Sequence, residues 1–240
     1  MFNFIYGNLN IRKPIIKAIK KELPNNALTL SIGERSYDSY KKLYEAGADR
    51  FLLRHESATK SLYESIHNTE SFEERRRCLR NLKEIGFQAG AGFMVGLPNQ
   101  TNEDLVNDLR FVKELEPAMC GIGPFIPHKD TPLRDCSAGT TEKTIILLAI
   151  TRLLLPKVLL PATTALASID SNGRNEGLRA GANVIMPNLS PMAVRKKYSL
   201  YNNKAFILDE DAEYRNTIEE KLKEAGFELV VSRGDNPDFV

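Results

Sequence analysis

Phe51-Leu52-Leu53-Arg54-His55-Glu56 runs from three apolar residues straight into three ionisable ones. The apolar half suits a strand of a parallel sheet buried on both faces. The charged half cannot follow it into a dry core without partners. At the carboxyl end of a strand in an α/β barrel, polar side chains gather at the functional face. Here that end carries a cation, an imidazole and a carboxylate in a row. The other reading is a surface turn with a solvated ion pair, which charged loops often form.

The flanking sequence repeats the same alternation of strand and helix. Leu28 to Gly33 reads as a strand, and Tyr37 to Ala46 as a helix with Tyr40, Leu43 and Tyr44 on one face. Ser71 and Glu74 form a capping-box pattern opening a helix to Ile85, whose stripe is Phe72, Leu79, Leu82 and Ile85. Gln88–Leu97 is a strand, and Thr101 starts a helix carrying Leu105, Leu109, Val112 and Leu115. Strand Cys120–Ile126, a Pro-rich loop and a helix over Glu142–Leu155 follow. Then come strand Leu160–Ala167, a short helix at Asn175–Ala180 and strand Asn183–Met186. A helix at Asp211–Ala225 closes the chain, its end marked by Gly226. A further helix, Pro14–Leu23, precedes the first strand.

About six βα units in sequence imply an α/β fold with a parallel sheet and right-handed crossovers. That is a partial TIM-type barrel, roughly two units short of the closed eight. No Ser/Gly linker divides residues 1–240, so one domain is expected, with 205–240 as a closing helix and tail. An open sheet leaves an unpaired edge, and a second chain supplying the rest of the barrel would cover it.

Composition excludes several classes. The chain has 240 residues, 27% of them charged and 42% hydrophobic, as in ordinary globular proteins. A net charge of +2 gives no electrostatic case for nucleic acid or a membrane surface. No apolar run nears the ~20 residues of a membrane span, and no secretory signal opens the chain, so a cytoplasmic location is expected. Cys78, Cys120 and Cys136 are widely spaced, and His55, His67 and His128 make no metal-binding pair, so no metal ligand set is read here.

Arg75 shares the sheet-facing stripe of its helix with Phe72 and Leu79, near the rim that carries Arg54 and Glu56. An Arg–Glu grouping there suits a ligand bearing both an ammonium and a carboxylate. The alternative is a packed stem with its guanidinium in water. Gly90-Ala91-Gly92-Phe93-Met94-Val95-Gly96 lies inside a strand and lacks the GxGxxG spacing, so it is no dinucleotide loop. Such glycines, with Gly121 and Gly123, leave room inside a barrel. Thr163 and Thr164 in an apolar strand read either as inward hydroxyls for a small polar substrate or as backbone-bonded side chains; Thr29 could add a third hydroxyl. Met119, Met186 and Tyr198 suit a core.

Five segments carry a resemblance: LTLSIGERSYDSYKKLYEAGADRFLLRHE, SFEERRRCLRNLKEIGFQAGAGFMVGLPNQT, GIGPFIPHKDTPL, LPATTALASI and RAGANVIMPNLSP. From about Pro14 to Tyr201 the chain resembles the radical S-adenosylmethionine (SAM) maturases of [FeFe]-hydrogenase, the HydE family, relatives of biotin synthase and methylornithine synthase. The resemblance implies a barrel whose [4Fe-4S] cluster cleaves SAM to a 5′-deoxyadenosyl radical. It implies SAM contacts from Arg54, Glu56 and Arg75. It also implies a substrate cavity of Thr29, Arg54, Met119, Thr163, Thr164, Met186 and Tyr198, and the other hydrogenase maturases as partners.

The family's CxxxCxxC, which holds the cluster, does not occur in these 240 residues. Neither does the glycine-rich SGED-type segment that follows the family's second strand. The expectation is a chain lacking the first two barrel units, without catalytic residues of its own and inactive alone. A biotin synthase-like or methylornithine synthase-like fragment is the nearest alternative. A non-catalytic small-molecule binder on a partial barrel is the alternative of another class. His55 has no assigned role at this level.

Overall fold

The computed structural model describes residues 9–67, 69–186, 219–220, 222–230 and 232–239. Helix α1 (Leu9–Glu22) leads into strand β1 (Thr29–Leu30), helix α2 (Tyr37–Glu45) and strand β2 (Arg50–Leu52). Helices α3 (Lys60–Ile66) and α4 (Phe72–Ile85) precede strand β3 (Gln88–Val95). Helix α5 (Asn102–Leu115), strand β4 (Met119–Pro124) and helix α6 (Thr141–Leu154) come next, then the short helices α7 (Thr164–Ile169) and α8 (Gly173–Arg179). The four strands form one parallel sheet in the order β1-β2-β3-β4. Sequential order with helical crossovers is what repeated βα units give.

The caps explain where the helices begin. Ser71 Oγ accepts from Glu74 N–H at 3.3 Å, but the Glu74 carboxylate turns to Arg77, so the expected capping box is only half made. Thr101 and Asp104 make the full reciprocal box, at 2.7 and 3.2 Å. At the other end of α4, Gly86 takes a left-handed φ of 105°.

Side chains alternate across the strands. Leu28, Leu30 and Ile32 are buried beneath the helices, while Thr29, Ser31 and Gly33 lie on the more open inner face. The outer faces of β1, β2 and the start of β3 pack on α2 and α4 through Leu30, Phe51, Ala89, Tyr40, Leu43 and Leu79. Tyr40 meets Phe51 edge-to-face at 5.0 Å. A second core joins Phe93, Cys120, Ile122 and Leu160 to Val112 on α5 and Leu148 on α6. Each fully buried Leu or Phe contributes roughly 1.5–3 kcal/mol.

Two expected strands shrink to single contacts. Leu160–Ala167 is not a strand: Leu159 bridges Met119, Pro161 bridges Val184, and the chain then turns into α7. The reason is Thr163, whose Oγ1 accepts from Leu166 N–H at 3.4 Å and caps the helix. Asn183–Met186 contributes only the Val184 bridge. Helix α3 was not read from the sequence. Residues 222–224 are helical and end at Gly226 (φ 84°), with Phe227 N–H donating to Leu222 O at 2.8 Å.

The amino ends of the strands are sealed by the chain's last segment. Arg50 pairs with Asp235 at 2.8 Å, and Gln88 donates to the same carboxylate. Asn236 N–H donates to Gln88 Oε1 at 3.0 Å, while its amide donates to Ala118 O at 2.9 Å and Lys157 O at 3.1 Å. Beside this seal a cleft of about 500 Å³ is lined by Lys83, Phe87, Pro117, Leu155, Lys157 and Phe239. No helix among the described residues is long and apolar enough to cross a membrane.

Candidate functional site

The carboxyl ends of the strands collect charge. Just beyond β2, Arg54 Nη2 donates to Phe93 O at 2.6 Å and stands 3.4 Å from Glu56 Oε2. Glu56 has a left-handed φ of 62°, costly for a residue with a β-carbon and held by bonds on both sides. Its N–H donates to Gly92 O at 3.0 Å and its carbonyl accepts from Met94 N–H at 3.1 Å.

Arg75, in the first turn of α4, is buried and leans onto the same rim. Its Nη1 donates to Arg54 O at 3.3 Å, and its Nε donates to the Tyr63 hydroxyl at 3.2 Å. Two carboxylates flank it: Glu34 at 2.8 Å from Nε, and Glu70 against Nη2. Burial raises the Glu34 carboxyl above its ordinary value, against the pull of the Arg75 charge. His67 lies 3.0 Å from Glu70 and stacks on Tyr63 at 4.5 Å; burial lowers its pKa, against the Glu70 charge.

Arg54, Glu56 and Arg75 thus converge. Glu34, Tyr63, His67 and Glu70 complete the cluster and were not picked from the sequence. For Glu34 a signal existed: Gly33-Glu34 follows the first apolar strand just as Arg54 follows the second. Tyr63, His67 and Glu70 belong to α3 and its exit, which carried no strong cap or period.

The remaining cavity candidates spread out. Thr29 and Met119 sit deep, at the first positions of β1 and β4. Thr163 lies over Gly123, where a β-carbon would be 2.9 Å from its Oγ1; Thr164 belongs to α7, not to a strand. Met186 is partly exposed, and Tyr198 lies outside the described residues.

The chain is 51% identical to the [FeFe] hydrogenase maturase subunit HydE of Thermotoga maritima over 197 residues, 82% of this chain and 56% of that protein. The family model of the Radical SAM superfamily matches residues 3–112. The chain belongs to the HydE-like radical SAM family. A more distant relative is the 3-methylornithine synthase of Methanosarcina acetivorans, 32% identical over 71% of this chain and 48% of that protein. The crystal structure of methylornithine synthase superposes with a TM-score of 0.77 at 24% identity, covering 92% of this chain and 64% of that one. The HydE-like chain spans about half the length of the curated relatives it matches.

SAM, the cofactor that the family name implies, fits this rim. Arg54 Nε is buried without a hydrogen-bond partner within the protein, and Glu56 Oε2 makes no hydrogen bond there beyond its 3.4 Å ion-pair contact with Arg54 Nη2, so a donor and part of a carboxylate remain for a ligand. The cluster does not fit. Cys78 and Cys120 are buried on α4 and β4, and Cys136 lies in the loop after β4. Burial pushes the Cys120 thiol up to about 12 and raises Cys78 as well, whereas iron ligation needs thiolates. Among the described residues no group of His, Cys, Asp and Glu could hold a metal ion.

Proposed function

We propose that this chain is the SAM- and substrate-holding portion of a hydrogenase-maturation radical SAM protein, built on a partial barrel. Arg75 and Arg54 would take the carboxylate of SAM, and Glu56 its ammonium or a ribose hydroxyl. The convergence of the three at one rim, with the buried Arg54 Nε lacking a hydrogen-bond partner within the protein, carries this reading. The cavity would be lined by Thr29, Arg54, Met119, Thr163, Thr164, Met186 and Tyr198, with Gly121 and Gly123 leaving the space.

The protein's own work is binding and orientation. Arg75 is held by four groups, which fix its guanidinium at the rim and leave little side-chain freedom to lose on binding. SAM supplies the radical precursor when a reducing cluster stands beside it. These cysteines do not fit such a cluster, so its ligands would come from outside these 240 residues, and contacts to the other maturases would join it there. Isothermal calorimetry with SAM tests the binding half: wild type binds and Glu56→Gln binds at least roughly tenfold more weakly. No heat with wild type would sink it. Anaerobic iron–sulfide reconstitution tests the other half, and a stoichiometric SAM-responsive cluster on this chain alone would overturn it.

A further inference from the structure

The pairing of β2 with β3 slips by one residue beside the charged rim. Leu52 pairs with Gly90, yet the next contact is Glu56 with Phe93, four residues on against three. One extra residue therefore sits on the β2 side, a β-bulge spanning Arg54 and His55. In an unbroken ladder Gly92 O would accept from His55 N–H; here it accepts from Glu56 N–H at 3.0 Å. The Gly92 N–H, displaced from its strand carbonyl, instead meets His55 Nδ1 at 3.4 Å.

His55 is 1% exposed, set edge-on to Phe111 at 4.8 Å and near Phe93 at 5.7 Å. Its Nε2 lies 3.3 Å from Oδ1 of Asp108, which is fully buried on α5 and also accepts from Ala58 N–H. A buried imidazole whose Nδ1 accepts a backbone hydrogen must carry its proton on Nε2, toward Asp108. Hydrogen bonds join Gly92 N–H to His55 Nδ1 and Ala58 N–H to Asp108 Oδ1, and a 3.3 Å contact between His55 Nε2 and Asp108 Oδ1 links the two. Together they tie β3 to both ends of the turn that holds Glu56.

We infer that His55 is a positioning residue: its imidazole stands in for a strand carbonyl, and with Asp108 it locks the bulge that turns Arg54 and Glu56 toward the ligand. The inference rests on the reading of that rim as the SAM site. The alternative is a core histidine that only fills space between Phe93 and Phe111, and phenylalanine would fill that space equally well.

The test compares His55→Phe and His55→Gln with wild type in the full chain. Gln offers an acceptor and a donor; Phe offers neither. Histidine ¹⁵N shifts should give the Nε2–H tautomer for His55. In His55→Phe, amide exchange at Gly92 and Glu56 should quicken by at least about tenfold while Ala91 and Ile122 stay protected. SAM affinity should fall by roughly tenfold and return to within about threefold in His55→Gln. An Nδ1–H tautomer, or exchange in His55→Phe equal to wild type, overturns the inference. If wild type binds no SAM, the proposed function fails, and exchange and tautomer alone decide the role of His55. If His55→Phe does not fold, His55→Leu, which also lacks an acceptor, takes its place with the same outcomes.

Discussion

The guanidinium of Arg75 and the carboxylate of Glu34 meet at 2.8 Å, joining the exit of β1 to the first turn of α4. Glu70 closes the guanidinium from the other side. One cation therefore holds two carboxylates beside the strand ends. Removing it would leave like charges facing each other in a partly dry site.

Arg75→Ala should accordingly cost about 2–4 kcal/mol of stability and most of the SAM affinity. Arg75→Lys should recover the stability better than the affinity, because ammonium restores charge but not the planar fork. Thermal melts and SAM calorimetry on the two variants separate these effects. Unchanged affinity in Arg75→Ala would remove Arg75 from the site.

Asp108 gives a pH signature. Burial, the leading cause, raises its carboxyl above 3.8, although His55 and the Ala58 N–H pull the other way. A raised carboxyl holds its proton more tightly folded than unfolded. Its contribution thus favours folding below the ordinary carboxylate pKa of about 4 and is lost as pH rises through the folded value. Asp108→Asn should flatten that part of the stability–pH curve, read as melting temperatures from acid to neutral pH. Parallel curves for both proteins would contradict it.

Asp235 should act in the opposite sense at the other end of the sheet. Burial disfavours its charge, but hydrogen bonds from Arg50, Gln88 and Arg233 outweigh this and bring it down to about 2. The stability it adds is present above about pH 4 and is lost as pH falls toward 2. Asp235→Asn should remove that acid limb in a denaturation series.

Asn236→Ala takes the side-chain donor from the Lys157 carbonyl and one of two donors from the Ala118 carbonyl, which keeps Leu159 N–H at 3.0 Å. About 1–3 kcal/mol of stability should go. SAM affinity should hold, since the seal and the charged rim lie at opposite ends of the strands. A joint loss of both would mean the two ends are coupled.

Two glycines separate folding from cavity. A β-carbon on Gly92 would stand 2.1 Å from Gly121 O, so Gly92→Ala should cost about 3 kcal/mol or more, or prevent folding. On Gly121 the nearest atom would be Ala91 O at 3.9 Å, so Gly121→Ala should change stability by less than about 1 kcal/mol. It narrows the inner face and should weaken ligand binding there. Expression yields and melting temperatures settle the first contrast.

Local patterns made much of the fold legible. Ser71 and Thr101 marked helix starts, and the stripe of Phe72, Leu79 and Leu82 turned Arg75 toward the sheet, where it is found buried. Thr163 and Thr164 misled because β-branched residues suit strands, while one threonine at an N-cap also starts a helix. Asp108 sat unnoticed among Leu105, Val112 and Leu115, an acid on an apolar stripe that only a buried partner could justify.

Periodicity and capping chemistry act over a few residues, so the amino-acid order alone determined the alternating strands and helices and the charged strand end. The bulge, the bond from Gly92 to His55 and the grip of Asp108 depend on which strands and helices pack together. So does the Gln88–Asp235 bond, whose residues stand 147 positions apart. Every buried donor must find an acceptor, but local sequence does not say which one. Packing brought those partners within reach, and that was decided only in three dimensions.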